Sequence, residues 1–223
     1  MKFIYLAVIS ILLAAAFIYF EHEKKYVPAV VLKGLASLFF VILGILGWKM
    51  NGSPDYGKFV VTGLVLGCVA DVLLNLRFVF EKIGSKIFLV GILVFLSGHI
   101  FYIVGLFKQC YMVWIFILAG AFFTFFILRW IFSKITAKKA FKIFGVFYIG
   151  AVVIMTCIAL GVLATNPCAR NAVFFAGAVL FLISDIVLIL NTFGGTSKFS
   201  LRITNLSLYY LGQILIALTL QLP

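Results

Sequence analysis

The sequence predicts an all-α, polytopic membrane protein of eight transmembrane helices, with signs of two parallel four-helix repeats. Three observations carry that prediction. The chain is 65% hydrophobic and only 11% charged, with a mean hydropathy of +1.28. Apolar runs of about 18 residues or more recur along its whole length, where a membrane barrel would show short alternating segments. The connections between runs are too short to hold a soluble domain, so residues 1–223 read as a single transmembrane domain.

Backbone amides in hydrocarbon must be satisfied within their own segment, and that requirement selects helix. The first span, about 3–20, begins like a cleavable signal peptide, but FIYF carries the apolar run past any cleavage site. The second, 27–48, holds VLKGL and stops at KMNGSPDYGK. The third, 59–79, contains GLVLGCVADVLLNL, and the fourth, 87–107, contains FLSGHIFYI. A phenylalanine-rich fifth span, 112–132, is followed after a basic stretch by the sixth, 141–164. The seventh, 171–193, contains GAVLFLISDIVLIL, and the eighth, 203–222, contains YYLGQILI. At about 1.5 Å per residue each can cross a hydrocarbon layer about 30 Å thick.

A net charge of +12 raises the possibility of a nucleic-acid partner, but the charge sits in membrane-flanking connections. With the N-terminus outside, twelve basic residues fall on the cytoplasmic side and five, Lys2 among them, on the other. The positive-inside rule favours that orientation. RWIFSKITAKKAFK then forms a basic face toward anionic membrane lipids, and no nucleic acid is expected as a partner. Cys68 and Cys157 lie within spans as packing residues, whereas Cys110 and Cys168 share the outer side, where pairing is open.

A shift of 114 residues lays the third span on the seventh, Asp71 on Asp185, and His99 in SGHI on Gln213 in LGQI. Four spans preserve direction, so the halves would be parallel repeats about an axis along the membrane normal. The first and fifth spans show no clear match.

Of six acids, only Asp71 and Asp185 fall within spans, with Glu21, Glu23, Asp55 and Glu81 in connections. An intramembrane charge costs about 2.5–3.5 kcal/mol on insertion scales, so both aspartates should face the bundle interior or a wet cavity. Asn75 is one turn beyond Asp71, His99 and Tyr102 share a face, Ser184 precedes Asp185, and Tyr210 stands one turn before Gln213. Lys33 and Tyr148 fall in the cytoplasmic halves of their spans. A lone Ser, Asn or Gln at such a place is ordinarily interhelical glue. A carboxyl pair is different, because desolvation favours the neutral form and two carboxyls in one pocket can divide acid and base roles. No HExxH spacing, GxSxG elbow or phosphate loop occurs, and the chemistry open to two carboxyls requires no metal or organic cofactor.

These residues, in this order, resemble the lysoplasmalogenase (YhhN-type) family of eight-span membrane proteins. Gly34 stands where that family commonly has proline and Ala70 where it has glycine, and neither change removes a reactive group. The resemblance implies hydrolysis of the vinyl ether of a lysophospholipid, releasing a fatty aldehyde and glycerophospho-ethanolamine or -choline. It implies an acid and a negatively charged partner from Asp71 and Asp185, oriented by His99 and Tyr102, with Asn75, Tyr148, Ser184, Tyr210 and Gln213 as supports. Lys33 would hold the phosphate as a point charge. The expected location is a bacterial cell (inner) membrane, with the site opening toward the cytoplasm. Against this stand a proton-coupled lipid or small-molecule transporter using the same aspartates, a metal-dependent hydrolase of another lipid linkage, and a scaffold whose polar residues only join helices. Pro28, Pro54, Pro167 and Pro223 all lie at span ends or in connections, and that placement lowers the transporter reading.

Overall fold

Hydrogen bonds closed within each segment account for nearly the whole chain. A computed structural model describes residues 3–52 and 54–223; Lys2, counted above on the outer side, lies outside them. The helices are α1 (Ile4–His22), α2 (Tyr26–Asn51), α3 (Pro54–Val79), α4 (Gly84–Phe107), α5 (Val113–Lys134), α6 (Lys139–Thr165), α7 (Ala169–Phe193) and α8 (Phe199–Leu218). Short 3₁₀ turns follow α3 and α8. All eight helices are long and apolar enough to cross a membrane.

Several helices run past the expected spans. Glu21 belongs to the last turn of α1, Asp55 to the first turn of α3, and Lys139 and Lys142 to the start of α6. Glu and Lys are good helix formers, so the ladder continues where the side chains turn polar. Hydropathy marks where hydrocarbon ends and does not mark where a helix ends.

Consecutive helices within each half pack as antiparallel neighbours; α8 also touches α1 and α3, and the main contacts between the halves are α2 with α8 and α4 with α6. Those contacts are counterparts under a shift of four helices, as a two-fold arrangement of repeats requires. Glycines give the clearest match. A Cβ on Gly98 would lie 3.2 Å from the carbonyl oxygen of Gly63, and one on Gly212 would lie 2.9 Å from that of Gly177. Both pairs obey the 114-residue offset. Small residues at these crossings let the backbones of α3 and α4, and of α7 and α8, touch. The symmetry breaks at the first helix of each half. Helix α1 packs on α2 and also on α8, whereas α5 packs chiefly on α6 and only 11% of its central residues are buried.

Burial runs against greasiness. Helix α8 has the lowest mean hydropathy of the eight and is the most enclosed, with 67% of its central residues buried. Lipid accepts apolar side chains anywhere, so the interior is where polar ones gather. Smaller polar contacts stitch helices elsewhere: the Ser10 hydroxyl donates to the Ala36 carbonyl at 2.7 Å. All four cysteines are free, so Cys110 and Cys168 are not joined. At the end of the bundle bearing the α1/α2, α3/α4, α5/α6 and α7/α8 connections, the Thr136 amide donates to the Phe193 carbonyl at 2.9 Å and ties the last two connections together.

Candidate active site

A cleft opens at that same end. It encloses about 1050 Å³ out to its open mouth and is mostly apolar, its inner wall carrying Lys33, Asp71, Asn75, Tyr148, Ser184 and Asp185. The outer wall is formed by the closing turns of α5 and α7 and the opening turns of α6, with Ile131, Phe132, Phe141 and Leu188.

Local helix geometry puts these groups together. Lys33 and Ser37 are one turn apart on α2, and so are Asp71 and Asn75 on α3. The Lys33 ammonium lies 3.1 Å from Asp71 Oδ1. The hydroxyls of Ser37 and Tyr209 both donate to Asp71 Oδ2, at 2.5 Å each. Asp71 thus faces a cation and two hydroxyl donors while nearly sealed from solvent, at 1% exposed. Asp185 is as buried, at 3%, but among the described residues accepts from one donor only, the Tyr148 hydroxyl at 2.8 Å. Among the described residues no Lys, Arg or His lies within ion-pair distance of Asp185. The two aspartates share a cavity and have unequal surroundings.

A polar chain links the two sides. Lys33 Nζ is 3.4 Å from Asn75 Oδ1, and the Asn75 amide donates to Glu21 Oε2 at 3.1 Å. Arg202 grips Glu21 in a bidentate pair, Nε to Oε1 at 2.7 Å and Nη2 to Oε2 at 2.9 Å. Arg202 Nη1 reaches Asn205 Oδ1 at 3.4 Å, and Asn205 donates to Ser184 Oγ at 2.8 Å. Ser184 donates to the Asn205 carbonyl at 2.9 Å, so its hydroxyl joins α7 to α8.

Not every expected residue reaches the cavity. His99, Tyr102, Tyr210 and Gln213 are buried but form a layer behind its wall. Tyr102 donates to Gln213 Oε1 at 2.9 Å. His99 Nδ1 pairs with the Phe95 carbonyl at 2.8 Å, and its ring packs on Phe181 and Tyr148 at centroid distances of 4.7 and 5.5 Å. His99 therefore touches neither aspartate; it braces the tyrosine that bonds Asp185. Tyr210 stands 3.5 Å from the Ser37 hydroxyl, while its neighbour Tyr209 holds Asp71. Lys33 differs from its expected part as a free point charge, because its ammonium is taken by Asp71.

Ser37, Tyr209, Glu21, Arg202 and Asn205 were missing from the expected set. Ser37 had a signal, being one turn from Lys33. Tyr209 and Tyr210 are adjacent, and only packing decides which faces inward. Among the described residues no three His, Cys, Asp or Glu side chains cluster as metal ligands.

The family model described as the YhhN family matches residues 29–220 of this chain. A comparison with curated proteins and one with solved structures each found no match.

Proposed function

The chain belongs to the YhhN family, and from that premise we propose that it hydrolyses the vinyl ether bond of lysoplasmalogens in the cavity between Asp71 and Asp185. The observation that carries this reading is the pair of buried aspartates on one cavity wall, one bound by a cation and two hydroxyls and the other by a single phenol.

Vinyl ethers resist base and cleave through protonation at carbon, so the site needs a proton donor, a negative group beside the resulting cation, and water. Asp185 is the donor. Its proton goes to the alkene carbon farther from oxygen, the π pair forms the new C–H bond, and positive charge spreads over the neighbouring carbon and the ether oxygen. Asp71, paired with Lys33, lies beside that oxocarbenium ion. Water adds to the cationic carbon and gives one proton to the Asp185 carboxylate, which restores the acid. The hemiacetal hydroxyl then gives up its proton as its oxygen forms the carbonyl, the bond to the glycerol oxygen breaks, and that oxygen takes up one proton and leaves as the alcohol. The products are an aldehyde and a glycerophospho-alcohol, at the cost of one water. Glycosidases stabilise the same kind of cation with two carboxyls. The alkenyl chain lies along Ile131, Phe132, Phe141 and Leu188 on the outer wall.

The test is aldehyde release by purified protein from a lysoplasmalogen and from its saturated ether analogue. The expected outcome is aldehyde from the first only, since the second has no alkene to protonate. Asp185→Asn should lower that rate by about 10²–10⁴, the usual contribution of a general acid. Asp71→Asn should lower it by about 10²–10³, as loss of an electrostatic stabiliser does. Full activity in both variants, with folded protein, would end the proposal.

A further inference from the structure

We infer that Arg77 and Lys142 form an anion subsite at the cavity mouth that binds the phosphate of the lysolipid and leaves the headgroup amine unrecognised. This rests on the reading of the cavity as a lysolipid site.

Four cations line the cavity: Lys33, Arg77, Lys142 and Arg202. Two are already matched, Lys33 by Asp71 and Arg202 by both oxygens of Glu21. The other two are not. Among the described residues neither Arg77 nor Lys142 has a carboxylate within ion-pair distance. Arg77 Nε is shielded from solvent and has no hydrogen-bond partner among the described residues. Such a donor is costly to leave unmade unless something comes to fill it.

The Arg77 side chain is also pre-positioned. Its guanidinium carbon stacks 4.6 Å from the Phe78 ring centroid and 4.3 Å from that of Phe88, which itself lines the cavity. Lys142, in the opening turn of α6, lines the same cavity with its ammonium 5.7 Å from the Phe132 ring centroid. A planar fork and a point charge facing one space suit a phosphodiester, whose oxygens accept from both.

The same inventory argues against selection by the amine. An ethanolamine or choline nitrogen would look for a carboxylate or an open aromatic face. Glu21 is saturated by Arg202 and Asn75, Asp71 is paired with Lys33, and Asp185 lies on the inner wall beside Tyr148, six residues along α6 from Lys142. Guanidinium covers Phe78 and Phe88, the Lys142 ammonium lies over Phe132, and Phe141 and Phe193 pack on each other and on Phe88. The excess positive charge repels a second cation, so the amine stays outside the mouth.

The experiment is calorimetric binding to the full chain in lipid nanodiscs. The ligands are saturated 1-alkyl-glycerophosphocholine, its ethanolamine counterpart and the matching 1-alkylglycerol, none of which contains a bond the proposed reaction cleaves. Wild type should bind the two phospholipids within about threefold of each other, and the alkylglycerol about tenfold or more weakly. Arg77→Gln and Lys142→Gln should each close most of that gap without changing alkylglycerol affinity, and Arg77→Lys should keep part of it. If Arg77→Gln fails to fold, Lys142→Gln decides alone. A gap that survives the substitutions overturns the inference. So does a strong preference between choline and ethanolamine, or inorganic phosphate competing as well as the lipid, which would mark a free-phosphate site. Because nothing is hydrolysed, absence of aldehyde release in the parallel assay counts against the proposed reaction and leaves the subsite standing.

Discussion

Asp71 and Asp185 stand at matching places on α3 and α7, and each takes a donor from the preceding helix, Lys33 from α2 and Tyr148 from α6. An ammonium in one half and a phenol in the other make two equivalent carboxyls unlike. Removing the charge of Asp71 alone leaves Lys33 buried without an anion, a change that costs about 3–5 kcal/mol. Asp71→Asn should therefore lower unfolding stability in detergent by about that amount, and the Lys33→Met/Asp71→Asn double variant should lose distinctly less. Equal losses would mean that the ion pair contributes nothing. Asp185→Asn, which keeps a hydrogen-bonding partner for Tyr148, should cost about 1 kcal/mol or less. Much of this was legible in the sequence: a lone acid in an apolar run has to face inward, and Lys33, Asn75, Tyr148 and Ser184 all line the cavity. Glu21 and Arg202 were not legible, because long side chains reach back from helix ends that hydropathy assigns to connections. His99 misled for the opposite reason, since its helical face points inward but ends one layer short of the cavity.

Among the helices, the two glycine crossings govern how closely each second hairpin packs. Gly98→Ala and Gly212→Ala should each destabilise the folded protein by about 1–3 kcal/mol, as overpacking at a backbone contact does. The second should cost more, its added carbon meeting a carbonyl oxygen at 2.9 Å against 3.2 Å. Gly145 on α6 has open space where a Cβ would go, so Gly145→Ala should stabilise by about 0.5–1 kcal/mol. Thermal unfolding of the three variants in one detergent checks the order. The repeat was readable because polar and glycine positions keep one offset while apolar ones are interchangeable. The first helix of each half could not be matched, and the structure gives the reason: α1 is clamped by α8, whereas α5 meets mainly lipid. Different neighbours select different surfaces.

For the molecule as a whole, the cavity opens at the end that carries most of the positive charge, and we propose on the positive-inside rule that this end faces the cytoplasm. In a variant with the native cysteines replaced, Asn166→Cys should react with an impermeant maleimide in intact cells. Thr196→Cys, at the cavity end, should react only after the membrane is opened. The reverse pattern would invert the orientation and put the cavity mouth outside.

That the least greasy helix is also the most enclosed has a consequence for biogenesis. Helix α8 brings Tyr209, Arg202 and Asn205 to the site, and those polar groups make it a poor candidate for independent partition from the translocon into lipid. It has to wait for the seven segments before it to present a groove. Without α8, Asp71 lacks one of its hydroxyl donors and Glu21 its counterion, so the polar wall of the cavity is complete only once the last segment docks.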